Sequence, residues 1–338
     1  MLGRMRVCPF RDQADARAHG LALGYVTLGW LGSFALMGSR NIALDVLGVI
    51  LCTHTMVLAA YLMHEAAHQT LFVSQAANRW VGEVMNCIAS SAGASFERIR
   101  RIHIRHHLDR ADLVCFDFKG LMQRRPGVRR SLQVLEWAYI PAVEILMHLQ
   151  VLLRPAFVAS QRRHLLRALL ALGLRLALLV LLASWSPRAA LLYLLAVLLE
   201  LHALNFFDAF HHTFEQLVIE PEQPVSLAGR DRAYEQGNTY SNLISDLHPW
   251  LNLLTLNFGY HNAHHHRPSM PWWRLPALHR EVFGERTLAV LPVRELLSSW
   301  HRNRVRRVYC EDYGVVGAGA RRADHFVGAH GVSFLTVV

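Results

Sequence analysis

The sequence predicts an all-α integral membrane protein whose four transmembrane helices form two hairpins, and three observations predict it. Hydrophobic residues make up 53% of the 338-residue chain and charged residues only 18%, where a soluble domain carries roughly 25% charged. The apolar residues collect in runs near 21–38, 42–63, 165–184 and 188–210, each long enough or nearly so to cross ~30 Å of hydrocarbon as a helix. Arginine fills the segments that flank those runs, the bias that orients membrane helices.

A cytoplasmic segment, 1–20, opens the chain. Its Arg4, Arg6, Arg11 and Arg17 imitate a signal peptide, but a second apolar run follows after a few residues, as in a retained helical hairpin. Ser39, Arg40 and Asn41 turn that hairpin; Ser186 and Pro187 turn the second, between 165–185 and 188–210. The stretch between the hairpins, about 64–164, holds Arg98, Arg100, Arg101, Arg105, Arg110 and an arginine-rich run over 124–130. The positive-inside rule puts this stretch and the N-terminus in the cytoplasm and both tight turns outside, so an even number of crossings returns 211–338 to the cytoplasm. Residues 132–153 invite a fifth span, but Glu136, Pro141, Glu144 and His148 are costly at mid-bilayer; an amphipathic helix in the cytoplasmic interface is expected instead. The short apolar stretch 81–95 reads as a buried or re-entrant helix. The membrane domain therefore runs over 21–310, and 311–338 is expected to be a loose, flexible tail. Gly314, Gly317 and Gly319 imitate a dinucleotide loop, but too little chain follows for a βαβ unit.

Net charge is +10 with a pI near 9.9, and Lys119 is the only lysine. The arginines form no recognition-helix pattern, so anionic lipid head groups or an acidic protein are the expected counterparts, and nucleic acid is not. Cys8, Cys52, Cys87, Cys115 and Cys310 are scattered with no C-x-x-C pair, so nothing in their spacing points to a disulfide framework, a zinc ribbon or a bound iron–sulfur cluster.

Histidine, with 21 residues, is clustered. His64 and His68, flanking Glu65, close the second apolar run. His103, His106 and His107 form a second cluster; His261, His264 and His265, followed by His266, form a third. Spacings of i, i+3 and i+4 put rings on one helical face, so eight imidazoles are offered in three groups on one side of the bilayer. Neutral imidazole is a good ligand for iron, and two octahedral-like ions need about this many donors. A helix pair such as His64 and His68 is, alone, most often incidental, and a single His-x-x-His-His can be a zinc site or chance. Repetition on one face is what points to a shared metal site. The first cluster also fits the H-E-x-x-H zinc-protease motif with Glu65 as general base, but a protease leaves the other two clusters unexplained. A metal carrier would string its ligands through the spans, whereas these lie beyond the helix ends.

A ninth candidate ligand, His212, follows the fourth run and shares a helical face with Asn205 and Asp208. Asp208 can hold a metal-bound water or orient an imidazole. His211 reads equally well as an interfacial residue, His202 and Glu200 as a helix-packing pair, His54 as a packed or hydrogen-bonded side chain, and His266 as a spare ligand.

These clusters resemble the three histidine boxes of the membrane fatty-acid-desaturase superfamily, which includes acyl desaturases and related hydroxylases, ketolases and acetylenases. The resemblance runs from about residue 51 to 281, and Phe96-Glu97-Arg98 before the second box and Asn257-Phe258-Gly259-Tyr260 before the third strengthen it. It implies a four-helix transmembrane bundle with a cytosolic helical cap, and a diiron centre held by eight or nine histidines, with His212 in the position of the family's additional ligand. One branch of the family carries an asparagine four residues before that ligand; Asp208 stands there in this chain. Two iron ions and O2 as co-substrate are the implied cofactors, and the implied chemistry is oxidation of an unactivated C–H bond. Insertion of a double bond into a lipid-linked fatty acyl chain is the expected reaction. Hydroxylation or ketolation of a fatty acyl, alkane or carotenoid substrate is the alternative, and the zinc protease a distant third. No His-Pro-Gly-Gly haem motif and no ferredoxin-like cysteine run occur in the sequence, so electrons are expected from a separate ferredoxin or small cytochrome and its reductase, an acidic donor suiting the arginine-rich face. Trp250, Trp272 and Trp273 are expected interfacial anchors. The expected location is a bacterial inner membrane, or the ER membrane in a eukaryote, with the site cytoplasmic.

Overall fold

The computed structural model describes residues 9–91, 93–114, 116–214, 217–219, 226–284, 288–310, 312–317 and 321–332. Helix α1 (Gln13–Met37) starts where the Asp12 carboxylate accepts from the Asp15 amide, and α2 (Ile42–Ala67) where the Asn41 side chain accepts from Ala43 and Leu44. Each cap satisfies amides that the first helical turn leaves without a partner. Ser74 and Ser95 do the same for α3 (Gln75–Ile88) and α4 (Phe96–Asp109). Three shorter helices follow: α5 (Phe118–Arg124), α6 (Pro126–Trp137) and α7 (Ala142–Phe157). Then come α8 (Leu165–Trp185) and α9 (Pro187–Ala209), separated only by Ser186, which caps α9 ahead of Pro187 at its first position. There proline's missing N–H costs nothing.

Among the described residues four segments are long and apolar enough to cross a membrane: Gln13–Met37, Ile42–Ala67, Ala159–Trp185 and Pro187–Ala209. The protein is a mainly helical membrane protein, and its first span begins earlier than the apolar run at 21 suggests. Helix α2 is the central one. From Thr55 to Ala67 every residue is buried, whereas α8 is largely exposed along its length, as a lipid-facing helix must be. Gly38, ending α1, lies against the indole of Trp185 at the end of α8, and any Cβ there would collide with the ring.

The expected single helix over 132–153 is instead two, α6 and α7, broken where Tyr139 takes a left-handed φ of 60° before Pro141. Their exposed faces carry Val134, Leu135 and Trp137, then Leu149, Leu153 and Phe157, while Glu136 and Glu144 turn inward. Apolar outer faces of this kind suit contact with lipid.

After α9 the chain makes α10 (Arg232–Gly237), α11 (His261–His266), α12 (Leu275–Phe283) and α13 (Val293–Asn303). Two short parallel strand pairs pin this region: β1 (Asp112–Val114) with β2 (Leu217–Ile219), and β3 (Ser241–Leu243) with β4 (Val290–Pro292). The tail expected to be loose is packed over its described part. Phe326 is fully buried against Phe210 and Tyr240, and the Ala329 amide donates to the Ala209 carbonyl at 2.8 Å. Gly328 permits that approach: its φ is 83°, and a Cβ would stand 2.8 Å from the Ala209 oxygen.

Candidate metal centre

Four separate stretches of chain deliver histidines to one place. The last turn of α2 supplies His64, and His68 is its C-cap residue. One face of α4 supplies His103, His106 and His107, and α11 supplies His261, His264 and His265. His212 lies just beyond α9, held by a bridge to Thr239. All nine candidate ligands therefore meet, in two groups. His64, His68, His103, His107 and His264 form one; His106, His212, His261 and His265 form the other. Within each group the candidate ligand atoms lie within 4.8 Å of one another.

Ring nitrogens face ring nitrogens across both groups. In the first, His103 Nε2 lies 2.7 Å from His68 Nε2 and 3.1 Å from His107 Nε2, and His107 Nε2 lies 3.2 Å from His264 Nε2. In the second, His212 Nε2 is 3.1 Å from His106 Nε2 and 2.9 Å from His261 Nε2.

The surrounding hydrogen bonds assign the tautomers of the second group. His106 Nδ1 donates to the Ala111 carbonyl at 2.9 Å, so its Nε2 carries a lone pair. Thr239 Oγ1 spends its proton on the Glu235 carbonyl and accepts at 3.3 Å from His212 Nδ1, which leaves a lone pair on His212 Nε2. His265 Nδ1 donates to Glu235 Oε1 at 2.9 Å, and its buried Nε2 has no hydrogen-bond partner among the described residues. Lone pairs that converge at 3 Å without a proton between them repel, and a cation between them removes the repulsion. The donor set thus fits a metal ion, and its neutral-imidazole composition suits iron.

Burial holds these rings in the ligand form. It drives the imidazoles of His68, His103, His107, His212, His261, His264 and His265 well below the usual histidine range, and His106 down to about 4. Neighbouring histidines push most of them the same way.

The surrounding residues sort themselves differently from the sequence expectation. Glu65 lines a small cavity with His64 and His264, but its carboxylate is engaged in bracing rather than free as a general base. Its Oε2 accepts from the Thr70 hydroxyl at 2.5 Å and from the Trp272 amide at 3.2 Å, tying α2 to the loop before α12. Asp208 lines a cavity of about 50 Å³ together with His64, His106, His211 and His261. Its Oδ1 lies 3.8 Å from His211 Nδ1. His211 joins neither group but stacks flat on His261, with centroids 3.9 Å apart at 12°. His266 is outside both groups. His54 is hydrogen-bonded to Tyr25 and the Leu254 carbonyl. Of the three tryptophans, Trp250 is exposed, but Trp272 is buried and donates to His19.

Glu235 is a residue that sequence reasoning missed. It accepts from His265 with one oxygen and from Arg110 Nε, at 3.2 Å, with the other. It also lies within ligand range of His107 and His265. No spacing signals it, because α10 reaches the site only through the folding of the chain between 212 and 261. Asp112, buried beside His106 Nδ1 at 3.7 Å, was likewise invisible; burial pushes its carboxyl up to about 7.

A mainly helical membrane body carrying two buried groups of histidines that could hold metal fits a class, the membrane-bound metal-dependent oxidoreductases. Within it, the family model of fatty acid desaturases matches residues 41–296. The chain belongs to the fatty acid desaturase family, and it is a fatty-acid-desaturase-like oxidoreductase. A search of curated proteins found no match to the chain.

Proposed function

We propose that this chain is an O2-dependent diiron enzyme that introduces a double bond into a lipid-linked fatty acyl chain. The observation that carries the proposal is the division of nine inward-facing imidazoles into groups of five and four, a donor set suited to one ion in each. His64, His68, His103, His107 and His264 would hold the first iron, and His106, His212, His261 and His265 the second. Bound there, the iron pair supplies the reductive activation of O2 that attack on an unactivated C–H bond requires.

The protein's own part is placement. Buried rings present neutral Nε2 lone pairs at fixed positions. Ala111, Thr239 and Glu235 hold three of the Nδ1 protons outward, so the ring orientations do not drift. Asp208, in the cavity beside both groups, is placed to hold a water or orient His211. The cavity, at about 50 Å³, has room for water or O2 beside the histidines. The electrons that the C–H bonds do not supply come from a separate ferredoxin or small cytochrome served by its reductase. Exposed Arg124, Arg125, Arg129 and Arg130 on α5, α6 and the residue between them suit an acidic donor on the cytoplasmic side.

Lipid profiling of cells with and without the protein, paired with metal analysis, tests the proposal. The expected outcome is a new acyl double bond and about two irons per chain. A new hydroxyl group instead would reassign the reaction to a hydroxylase, and a single zinc with no lipid change would refute the diiron reading.

A further inference from the structure

Away from the metal centre, a cleft of about 260 Å³ opens between α7, α8 and α9. Leu149, Leu152, Leu172, Leu179, Val197 and Leu201 make its walls apolar, and none of its lining residues belongs to the cavity beside the histidines. Five polar side chains interrupt the walls: Arg175, His148, Tyr193, Ser90 and Ser91, with Ser90 Oγ 3.3 Å from the Tyr193 hydroxyl.

Arg175 stands ten residues into the 21-residue α8, about 15 Å from either end, where a charged residue is costly and marks a functional site. Its partners are the Cys87 carbonyl and, at 3.4 Å, the Tyr193 hydroxyl. Those are two neutral acceptors for a cation with five N–H donors. Among the described residues no carboxylate lies within ion-pair distance of it; the buried Glu200 on α9 feels its charge but makes no hydrogen bond. His148 supplies the complementary function. Its Nδ1 donates to the Glu144 carbonyl at 2.9 Å, so Nε2 is an acceptor, and that atom is buried with no hydrogen-bond partner among the described residues.

We propose that this cleft binds a single-chain amphiphile through a free carboxyl group, set against Arg175, Tyr193 and His148, with the alkyl chain along the leucine walls. The polar set matches a carboxyl on both sides. Its carbonyl oxygen accepts from the guanidinium, and its hydroxyl, when protonated, donates to His148 Nε2; when ionised, it pairs with Arg175. A carboxylic acid reaches mid-span in its neutral form, which a phosphate cannot do. The phosphate of a two-chain lipid stays at the interface, about 15 Å away along α8. The cleft is less than twice the ~150 Å³ that holds one benzene, room for part of one chain. An ester lacks both the charge and the donor.

Binding of dodecanoic acid and of methyl dodecanoate to the purified, iron-loaded protein in detergent tests this without turnover, so its failure leaves the desaturase proposal standing. The acid is expected to bind saturably and the ester about tenfold more weakly, with Arg175→Gln costing the acid a similar factor. Leu152→Trp, which fills the cleft without touching the polar set, is expected to abolish binding of both. Equal binding of acid and ester by the wild-type protein would overturn the proposal, as would the absence of saturable binding. So would unchanged acid binding in a folded Arg175→Gln protein, or bound phospholipid that the acid does not displace.

Discussion

A ring nitrogen can serve a metal only if its proton is kept on the other nitrogen, and at the scale of single residues that is what the side chains around this centre do. Glu235 is the clearest case, because it holds the His265 Nδ1 proton while its other oxygen faces Arg110. An amide in its place still accepts a hydrogen bond but gives up the charge that Arg110 balances and that makes the imidazole more basic. Glu235→Gln is therefore expected to weaken iron binding or activity by about 10–100-fold with little change in melting temperature. Iron occupancy against free iron measures it, and full occupancy at wild-type affinity would remove Glu235 from this role. The ligands themselves behave differently from their supports. Replacing His264 by alanine is expected to abolish product formation, since it takes a donor from the group of five. A protease built on His64, Glu65 and His68 alone would survive that change.

Among the elements, what the sequence made legible and what it hid have distinct physical causes. The spans were legible because lipid demands long apolar runs, and α4 and α11 because a spacing of i, i+3, i+4 has one reading on a helix. The break at Tyr139, which turned one expected helix into α6 and α7, was signalled only by Pro141, since a left-handed backbone at a tyrosine leaves no mark of its own in the composition. The C-terminal segment was hidden for another reason. A stretch rich in glycine reads as loose, yet Gly328 is there to let backbone reach Ala209, and Phe326 fills the space beneath Phe210. Packing of that kind depends on what the rest of the chain leaves open. Phe326→Ala is expected to destabilise the protein by about 3–5 kcal/mol, the cost of truncating a buried aromatic, measured by chemical or thermal unfolding in detergent. A change below about 0.5 kcal/mol, typical of surface sites, would return the segment to a loose tail.

Seen whole, the molecule draws its donors from α2, α4, the turn after α9, and α11, so the centre joins segments separated by up to 201 residues (64 to 265). Glu235 and Asp112 enter between them as unsignalled supports, which is why the candidate ligands were legible in spacing while their orientation was not. Such an arrangement couples metal to folding. Without a cation, the Nε2 lone pairs of His106 and His212 face each other at 3.1 Å, and that repulsion, buried among apolar neighbours, works against the native packing. An ion bound only by the folded state stabilises it by RT ln(1 + [L]/Kd), about 2.7 kcal/mol at a free concentration of 100 Kd. Removing metal with a chelator is thus expected to lower the melting temperature by several degrees and to loosen α4 and α11 first, since their histidines supply both groups. Restoring ferrous iron should recover both, and hydrogen exchange on those two helices reads the local effect. Identical melting with and without metal would mean that the surrounding hydrogen bonds, rather than the ions, hold the histidines in place.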